Sequence, residues 1–206
     1  MTTLPTPTPD VISLLAGIST GSPLGDVRAA RPQAREQAQR SFAALFEPAS
    51  PDAVTLRERY ALATFIAGLH GDPAVAAFYG ARLAAHGSDL ADAVAGEIGR
   101  GLTEGPYGTY PEGRLATESV AGPRYQVSEE GQTTLGHRLT AAFEHVHLLV
   151  FHPRDAKPEA LAALLAAGWT TDGIVTLSQL AAFLSFQIRA VIGLRTLSIS
   201  SHSPRH

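Results

Sequence analysis

The chain has 206 residues, of which 45% are apolar and 17% are charged, so it is long and apolar enough to bury a sizeable core in one domain or two small ones. A formal net charge of −3 provides no basic surface for nucleic acid or for an anionic membrane, and we expect neither as a partner. The absence of cysteine excludes disulfides, thiolate metal sites and cysteine-based redox chemistry.

The N-terminal segment, residues 1–10, alternates threonine and proline and has neither the basic nor the apolar region of a secretory signal. We expect a flexible arm there, then a single all-helical domain over residues 11–197, in a cytoplasmic protein. Polar or charged residues interrupt every apolar stretch well short of the ~20 residues that a membrane-spanning helix needs. The sequence therefore predicts no such helix.

Start and stop signals predict a helical hairpin after the first quarter of the chain. Ser50-Pro51-Asp52 combines an N-cap, a first-turn proline and an early acid, and apolar residues then recur on one helical face over residues 54–69. Gly71 is expected to end this helix. Asp72-Pro73 starts the second helix in the same manner, and Gly87 ends it.

The helical pattern weakens after this hairpin and then resumes. Ser88 is placed to cap a third helix, which Gly99 and Gly101 weaken. Residues 104–131 predict a long loop rich in glycine, proline and tyrosine. From about Thr133, an apolar stripe predicts a helix that runs to the break at His152-Pro153.

Two further helices are predicted in the last quarter of the chain. Pro158 opens the first and Gly168 closes it. Thr170 or Thr171 caps a long final helix that keeps one apolar face. Residues 198–206 are mainly serine, histidine and proline, and we expect this tail to fray.

An internal duplication is one explanation for the two sets of helices. Two segments of equal length align without a gap, and each begins with an arginine and ends with a glycine: residues 57–87, with Arg57 and Gly87, and residues 138–168, with Arg138 and Gly168. The pseudo-repeats would cover about residues 50–103 and 132–197. The alternative is that two alanine-rich hairpins look alike by composition, because short matches have many false positives.

Two stretches of sequence carry a family resemblance. Residues 164–175 read LLAAGWTTDGIV and residues 181–189 read AAFLSFQIR. They resemble the C-terminal signature of the peroxidase-related branch of the alkylhydroperoxidase D-like and carboxymuconolactone decarboxylase superfamily, in which Leu-x-x-Ala-Gly-Phe-Ser-Asp-x-x-Ile precedes a helix ending Phe-x-Asn-Arg. Arg189 matches the arginine, whereas Ile188 replaces the asparagine. Residues 56–62, LRERYAL, resemble the same branch's Leu-x-x-Arg-Glu helix.

The resemblance implies an alkylhydroperoxidase D-like helical bundle and a homo-oligomer. In active relatives a Cys-x-x-Cys pair opens the second helix of the hairpin, with a histidine one turn later and a glutamate on the preceding helix. Those cysteines correspond here to Asp72 and Val75 and the histidine to Tyr79, while the glutamate falls near Tyr60, two residues from Glu58. Because none of these replacements is a thiolate nucleophile, we expect cysteine-dependent hydroperoxide reduction to be lost.

The densest ionisable cluster of the later helices is Glu144-His145-Val146-His147. Imidazole titrates near neutrality and binds divalent metals, but helical residues i and i+2 diverge, so the spacing predicts no metal site. Glu144 and His147 are three residues apart and share one helical face. With Glu58, they are the candidate acid–base catalysts, and the alternative is that the histidines are surface or interface residues.

Four residues are candidate ligand contacts: Arg189, His70, His145 and Tyr79. His70 sits in the last turn of its helix, where the macrodipole favours a cation, so a structural role is the alternative. Arg189 lies among apolar residues and, if buried, needs a carboxylate partner such as Glu58 or Glu144. Such a pair would orient a ligand or join the two hairpins.

Three functions fit this sequence. The leading one is an alkylhydroperoxidase D-like protein that has lost its peroxidase activity. The second is an enzyme that uses glutamate and histidine in acid–base chemistry on a small organic substrate, and the third is a non-enzymatic, small-ligand-binding or structural oligomer. None of the three requires a cofactor, and we expect none. Tyr107 and Tyr110 of the long loop are placed to line a pocket or an oligomer interface.

Overall fold

The computed structural model describes residues 10–51 and 53–201, and this part of the chain contains helices and no β-strand. The all-helical class predicted from the sequence is confirmed. The helices are, in chain order, α1 (Val11–Ala16), α2 (Pro23–Ala29), α3 (Pro32–Phe46), α4 (Leu56–Leu69), α5 (Pro73–Gly87), α6 (Ala91–Gly101), α7 (Glu129–Phe151), α8 (Pro158–Ala166) and α9 (Thr171–Ser201).

Helices α1 to α3 occupy a region for which the sequence pattern made no helix prediction. Asp10 caps α1 by accepting a hydrogen bond from the Ser13 amide at 3.1 Å, and it also forms an ion pair with Arg28 at 2.6 Å. The predicted arm over residues 1–10 therefore has a fixed last residue, and its other nine residues lie outside the described part. Helices α1 and α3 pack against α9.

Helix α4 is the central helix of the fold. It begins at Leu56 because Thr55 and Glu58 form a capping box, so the predicted start at Ser50-Pro51-Asp52 is wrong, and Asp52 itself is not described. All side chains from Arg59 to Leu69 are buried, which is possible because α3, α5, α6, α7 and α9 surround this helix.

Helix α5 completes the predicted hairpin with α4. Gly71 adopts φ +71° after the end of α4, and Pro73 is the first residue of α5, as predicted. The following turn differs from the prediction: Ser88–Leu90 is a 3-10 turn, and α6 begins after it at Ala91.

Helix α7 begins at Glu129, capped by the Ser128 side chain, and therefore earlier than the predicted Thr133. Gly136 has φ +71° and interrupts it with a kink. The predicted apolar stripe begins at Leu135, just before this kink, and continues after it. The helix ends at Phe151, at the predicted break.

Helix α9 has 31 residues and packs against α1, α3, α4, α7 and α8. The Thr170 hydroxyl accepts a hydrogen bond from the Gly173 amide at 3.1 Å and caps its start, as predicted. Its last turn extends to Ser201, so residues 198–201 of the predicted tail are helical, and the rest of the tail is not described. Residues 171–199 have the length and mean hydropathy, 1.4, of a membrane-crossing helix, a test that the core helix of a globular fold also passes.

The long loop between α6 and α7 is held to the helices at several points. The Tyr107 amide donates to the Phe151 carbonyl at 2.6 Å, and His152 Nε2 lies 2.9 Å from the Pro123 carbonyl. Gly108 and Val120 form an isolated β-bridge within the loop. These contacts fix the loop beside the end of α7, next to two cavities.

Candidate functional site

An open groove of about 980 Å³ lies between the C-terminal part of α7 and the middle of α9. Its walls are mainly apolar, and the Phe186 ring is 53% exposed there. The lining residues are Pro106, Leu149, Val150, Pro153, Ser178, Ala181, Ala182, Ser185, Phe186, Arg189 and Ala190. A concave apolar surface with a few polar groups is typical of small-molecule sites.

Arg189 supplies the positive charge in this groove. Its side chain is exposed, and across residues 10–51 and 53–201 no carboxylate oxygen lies within 4.0 Å of it. The condition for a buried ion pair with Glu58 or Glu144 is therefore not met. A guanidinium group presents a planar set of donors that matches a carboxylate, so Arg189 is free to bind an anion from solution.

His70 does not line the groove itself but contacts Ser185, which does. His70 Nε2 is 3.2 Å from the Ser185 hydroxyl, which links the end of α4 to the groove wall. Burial, and secondarily the charge of Arg189, lower the pKa of His70 from 6.5 to about 4. The imidazole is therefore neutral near pH 7. The structural role considered for His70, a cation stabilised by the helix macrodipole, does not apply at this pH.

Glu58 has a structural environment away from this groove. Its side chain completes the capping box of α4, and its Oε1 accepts a hydrogen bond from Arg138 Nε at 2.6 Å. Arg138 also donates to the carbonyls of Ala53 and Gly168, and its guanidinium lies 3.8 Å from the centre of the Trp169 ring. This arrangement joins α4 to the second set of helices.

Glu144 and His147 do not hydrogen-bond to each other in the described structure. Glu144 accepts a hydrogen bond from the Val127 amide at 3.2 Å, whereas His147 Nε2 lies 2.9 Å from the Gly101 carbonyl. His147 is buried, and burial lowers its pKa. Both side chains therefore hold the loop and α6 against α7.

His145 is also buried, and burial lowers its pKa. Neither of its ring nitrogens has a hydrogen-bond partner within the described residues. It does not belong to the groove lining. Of the candidate ligand contacts, Arg189 lines the groove, and His70 lies behind the lining and contacts it through Ser185.

The positions that correspond to the family's catalytic groups are filled by structural residues. Asp72 caps α5 through the amides of Ala74 and Val75 and forms an ion pair with Arg195 at 2.6 Å. The Val75 side chain is fully buried. Tyr79 is buried as well; its hydroxyl donates to Gln187 at 2.6 Å, and burial raises its pKa.

A buried polar cluster around Glu97 was not predicted. Glu97 accepts hydrogen bonds from the Tyr125 hydroxyl at 2.6 Å and from the Ser128 hydroxyl at 2.5 Å, and the Tyr125 ring stacks on His147. The sequence signal that could have identified Glu97 is its spacing of three residues from Val94, which places both on the buried face of α6. Because Ser128 precedes α7, this cluster anchors the end of the long loop.

No group of three or more histidine, aspartate or glutamate side chains among the described residues is arranged to hold a metal ion. Comparisons of the whole chain with family models, with curated proteins and with solved structures found no match.

Proposed function

We propose that this protein binds a small amphipathic monoanion, such as an aliphatic carboxylate, in the groove between α7 and α9. The observation that carries this proposal is Arg189, an exposed cation in an apolar groove with no carboxylate within 4.0 Å among the described residues. A carboxylate would complete the guanidinium's hydrogen bonds, and the alkyl chain would cover apolar surface that now faces solvent.

The single positive charge of the described groove lining favours a ligand with one negative charge. Among the described residues of the lining, Arg189 is the one cation, and the nearby His70 is neutral near pH 7 because its pKa is lowered to about 4. Ser185 adds a hydroxyl for a second polar contact. The rest of the lining, including Leu149, Ala182 and Phe186, suits a hydrocarbon chain.

We further propose that the scaffold is related to the alkylhydroperoxidase D-like superfamily and has lost thiol peroxidase chemistry. The support is the sequence resemblance, together with the all-helical fold and the absence of cysteine. Asp72, Val75 and Tyr79 stand where the family's reactive groups would be and serve capping and packing. The purified protein should reduce an organic hydroperoxide with dithiothreitol no faster than buffer does, and protein-dependent turnover would contradict this proposal.

Acid–base catalysis by the predicted trio receives less support. Glu58 contacts Arg138, which lies nine residues before His147 on α7, and nine residues correspond to roughly 14 Å along a helix. Glu144 is held by the Val127 amide. The three side chains therefore do not converge on one substrate.

Isothermal titration with octanoate tests the groove. We expect saturable binding of octanoate, and much weaker binding of octanol and octylamine, because neither provides an anion for Arg189. The Arg189→Gln variant should weaken octanoate binding by about tenfold, the loss expected for a charge-assisted contact. Ala182→Trp should abolish binding by filling the groove while the charge remains.

Arg40→Gln is the matched control, because Arg40 is an exposed arginine on α3 away from the groove. It should bind octanoate as the unmodified chain does. Equal affinities of the unmodified, Arg189→Gln and Ala182→Trp proteins would reject the groove as the site.

A homo-oligomer is a second proposal for the same face of α9. Large apolar side chains remain exposed there, with Phe186 at 53% and Leu197 at 55%, and Val27 of α2 adds another at 58%. Burial of such a patch between two copies would remove apolar surface from water. Light scattering of the unmodified chain should give at least twice 21.6 kDa, and Leu197→Asp should reduce this mass; a monomeric unmodified chain would contradict the proposal.

A further inference from the structure

A second cavity, of about 880 Å³, lies beside the turn that follows α7. We call it the Arg154 cavity. It is formed by the long loop near Tyr110, the segment from Arg154 to Lys157 and the start of α8. It shares no lining residue with the groove that contains Arg189.

Three cationic side chains line the Arg154 cavity: Arg124, Arg154 and Lys157. None of them has a carboxylate oxygen within 4.0 Å in the portion of the chain that the structure describes. Lys157 is the only lysine in the sequence. Their presence in one lining places an excess of positive charge at this cavity, in a chain with a formal net charge of −3.

The orientation of Arg154 is fixed from one side. Its guanidinium carbon lies 4.0 Å from the centre of the Tyr110 ring, so the guanidinium plane stacks on an aromatic face. Stacking restricts the side chain without occupying its hydrogen-bond donors. Arg154 is therefore positioned to bind an anion.

Two acidic residues also line the cavity, so three cations and two carboxylates give its described lining a formal charge of +1. Asp155 accepts a hydrogen bond from the Thr109 amide at 3.2 Å and contacts His152 Nδ1 at 3.2 Å. The hydrogen bond from Thr109, with smaller contributions from His152 and from the charge of Arg124, lowers the pKa of Asp155. Asp155 is therefore ionised near neutral pH, and Glu159 is the other carboxylate of the lining.

The chemistry of the lining indicates the class of ligand. Three cations match a dianion with several acceptor oxygens better than they match a single carboxylate. Tyr110, Pro111 and Leu148 provide apolar surface for a carbon skeleton. We propose that the Arg154 cavity binds an organic phosphomonoester, with the phosphate group between Arg124, Arg154 and Lys157.

The single lysine allows a direct test on the full chain. Reductive dimethylation with isotope-labelled formaldehyde gives one labelled lysine side chain, at Lys157, and keeps its positive charge; the labelled α-amino group is an internal reference. Titration with phenyl phosphate at low ionic strength should shift the Lys157 signal in a saturable manner. Inorganic phosphate should bind about fivefold more weakly because it lacks the ring, and phenol should produce no shift because it lacks the phosphate.

Variants identify the site independently of the label. In isothermal titration of unlabelled protein, Arg154→Gln and Lys157→Gln should each weaken phenyl phosphate binding by about tenfold. Arg114→Gln is the control, since Arg114 is an exposed arginine of the same loop that does not line the cavity. Because Lys157 is exposed, its substitution tests the site even if Arg154→Gln perturbs the fold.

The result is decisive in either direction. A saturable Lys157 shift together with selective loss in the two cavity variants supports the phosphate site. The proposal is overturned if the Lys157 signal does not move with phenyl phosphate up to about 10 mM, the weak limit of a specific site. It is also overturned if Lys157→Gln and Arg114→Gln bind phenyl phosphate equally well, or if phenol binds as tightly as phenyl phosphate.

Discussion

Two parts of the molecule have the same order of helices but different packing. The first part consists of α4, α5 and α6, and the second consists of α7 after its kink, α8 and the start of α9. In each part the paired arginine reaches the paired glycine. A Cβ atom added to Gly87 would lie 2.6 Å from Arg57 Cγ, and Arg138 Nη1 donates to the Gly168 carbonyl at 2.8 Å. The internal duplication stays a prediction, and these contacts are consistent with it.

The two parts differ in how closely their first and third helices approach. Gly68 of α4 packs directly against Ile98 of α6, and a Cβ atom there would lie 2.6 Å from two carbons of Ile98. The residue aligned with Gly68 is Leu149, which lines the groove between α7 and α9. The aligned position is therefore a glycine in close contact with a neighbouring helix in the first part and a leucine in the wall of a groove in the second part.

The largest expected effect is a difference in the free energy of unfolding between variants of the two paired arginines, Arg138 and Arg57. Arg138→Ala should lower the free energy of unfolding by about 3 kcal/mol, because it leaves Glu58 and two carbonyl groups without their donor. Arg57→Ala should change it far less, since the ion pair of Arg57 with Asp89 is exposed and solvent screens it. Urea denaturation followed by circular dichroism measures both. Similar losses would show that the two parts are stabilised alike.

Gly68→Ala tests the close approach of α4 and α6. We expect a loss of about 2 kcal/mol, because the added methyl group overlaps Ile98. Gly96→Ala is the control on α6, where a Cβ atom meets nothing within 4 Å, and it should stabilise by roughly 0.5 kcal/mol through helix propensity. The double variant Gly68→Ala/Ile98→Ala removes the overlap and should recover part of the packing between α4 and α6. If Gly68→Ala unfolds at the same urea concentration as the unmodified chain, the contact between Gly68 and Ile98 does not limit how closely α4 and α6 pack.

The ends of the two aligned helices predict a difference in pH dependence. His70 ends α4, whereas the aligned Phe151 cannot titrate. Because the pKa of His70 is lowered from 6.5 to about 4, the unfolded chain binds its proton first, and stability should fall as the pH drops through this window. With allowance for partial solvent exposure, the contribution of His70 is about 1 to 2 kcal/mol.

His70→Gln is the variant that isolates this contribution, because glutamine can still hydrogen-bond to Ser185. Its unfolding free energy should depend less steeply on pH below 6.5 than that of the unmodified chain. His145 and His147 retain their lowered pKa values in the variant and keep part of the slope. Identical pH profiles for the two proteins would exclude His70 as a source of acid sensitivity.

The smallest expected effect concerns the paired glycines. Gly168 has φ +87°, so Gly168→Ala should cost about 1 kcal/mol through backbone strain. Gly87 has φ −172°, which any residue adopts, and Gly87→Ala should destabilise through its contact with Arg57. The second loss should therefore shrink in an Arg57→Ala background, while the Gly168→Ala loss should not change there. A double-mutant cycle from thermal unfolding distinguishes the two causes.

Local signals predicted the parts of the fold that local interactions determine. Asp72-Pro73, Gly71 and the break after Phe151 mark helix ends through capping and the properties of proline and glycine. The start of α4 was misplaced because the Thr55–Glu58 capping box competes with the earlier Ser50-Pro51-Asp52 signal. Helix α2 buries no residue, so it lacks the apolar stripe by which a helix is recognised.

The site was harder to predict because it depends on exposure and on contacts between distant residues. The sequence singled out Arg189 and His70, but only the packing of α4 on α9 brings His70 to Ser185, 115 residues away. Glu97 and Tyr125 are 28 residues apart on either side of an irregular loop, and no periodicity relates them. Arg189 was expected to require a carboxylate if buried, and its exposure removes that requirement.

Arg195 connects the last helix to two distant parts of the chain. It joins Asp72 and the Leu15 carbonyl, and the contact with Leu15 closes a loop of 180 residues, against 80 for the contact between Glu58 and Arg138. Closure entropy grows only with the logarithm of loop length, so the longer loop is disfavoured by only about 0.7 kcal/mol more. We expect a kinetic consequence: α1 and the last turns of α9 should dock after the shorter loops have closed and should separate early on unfolding.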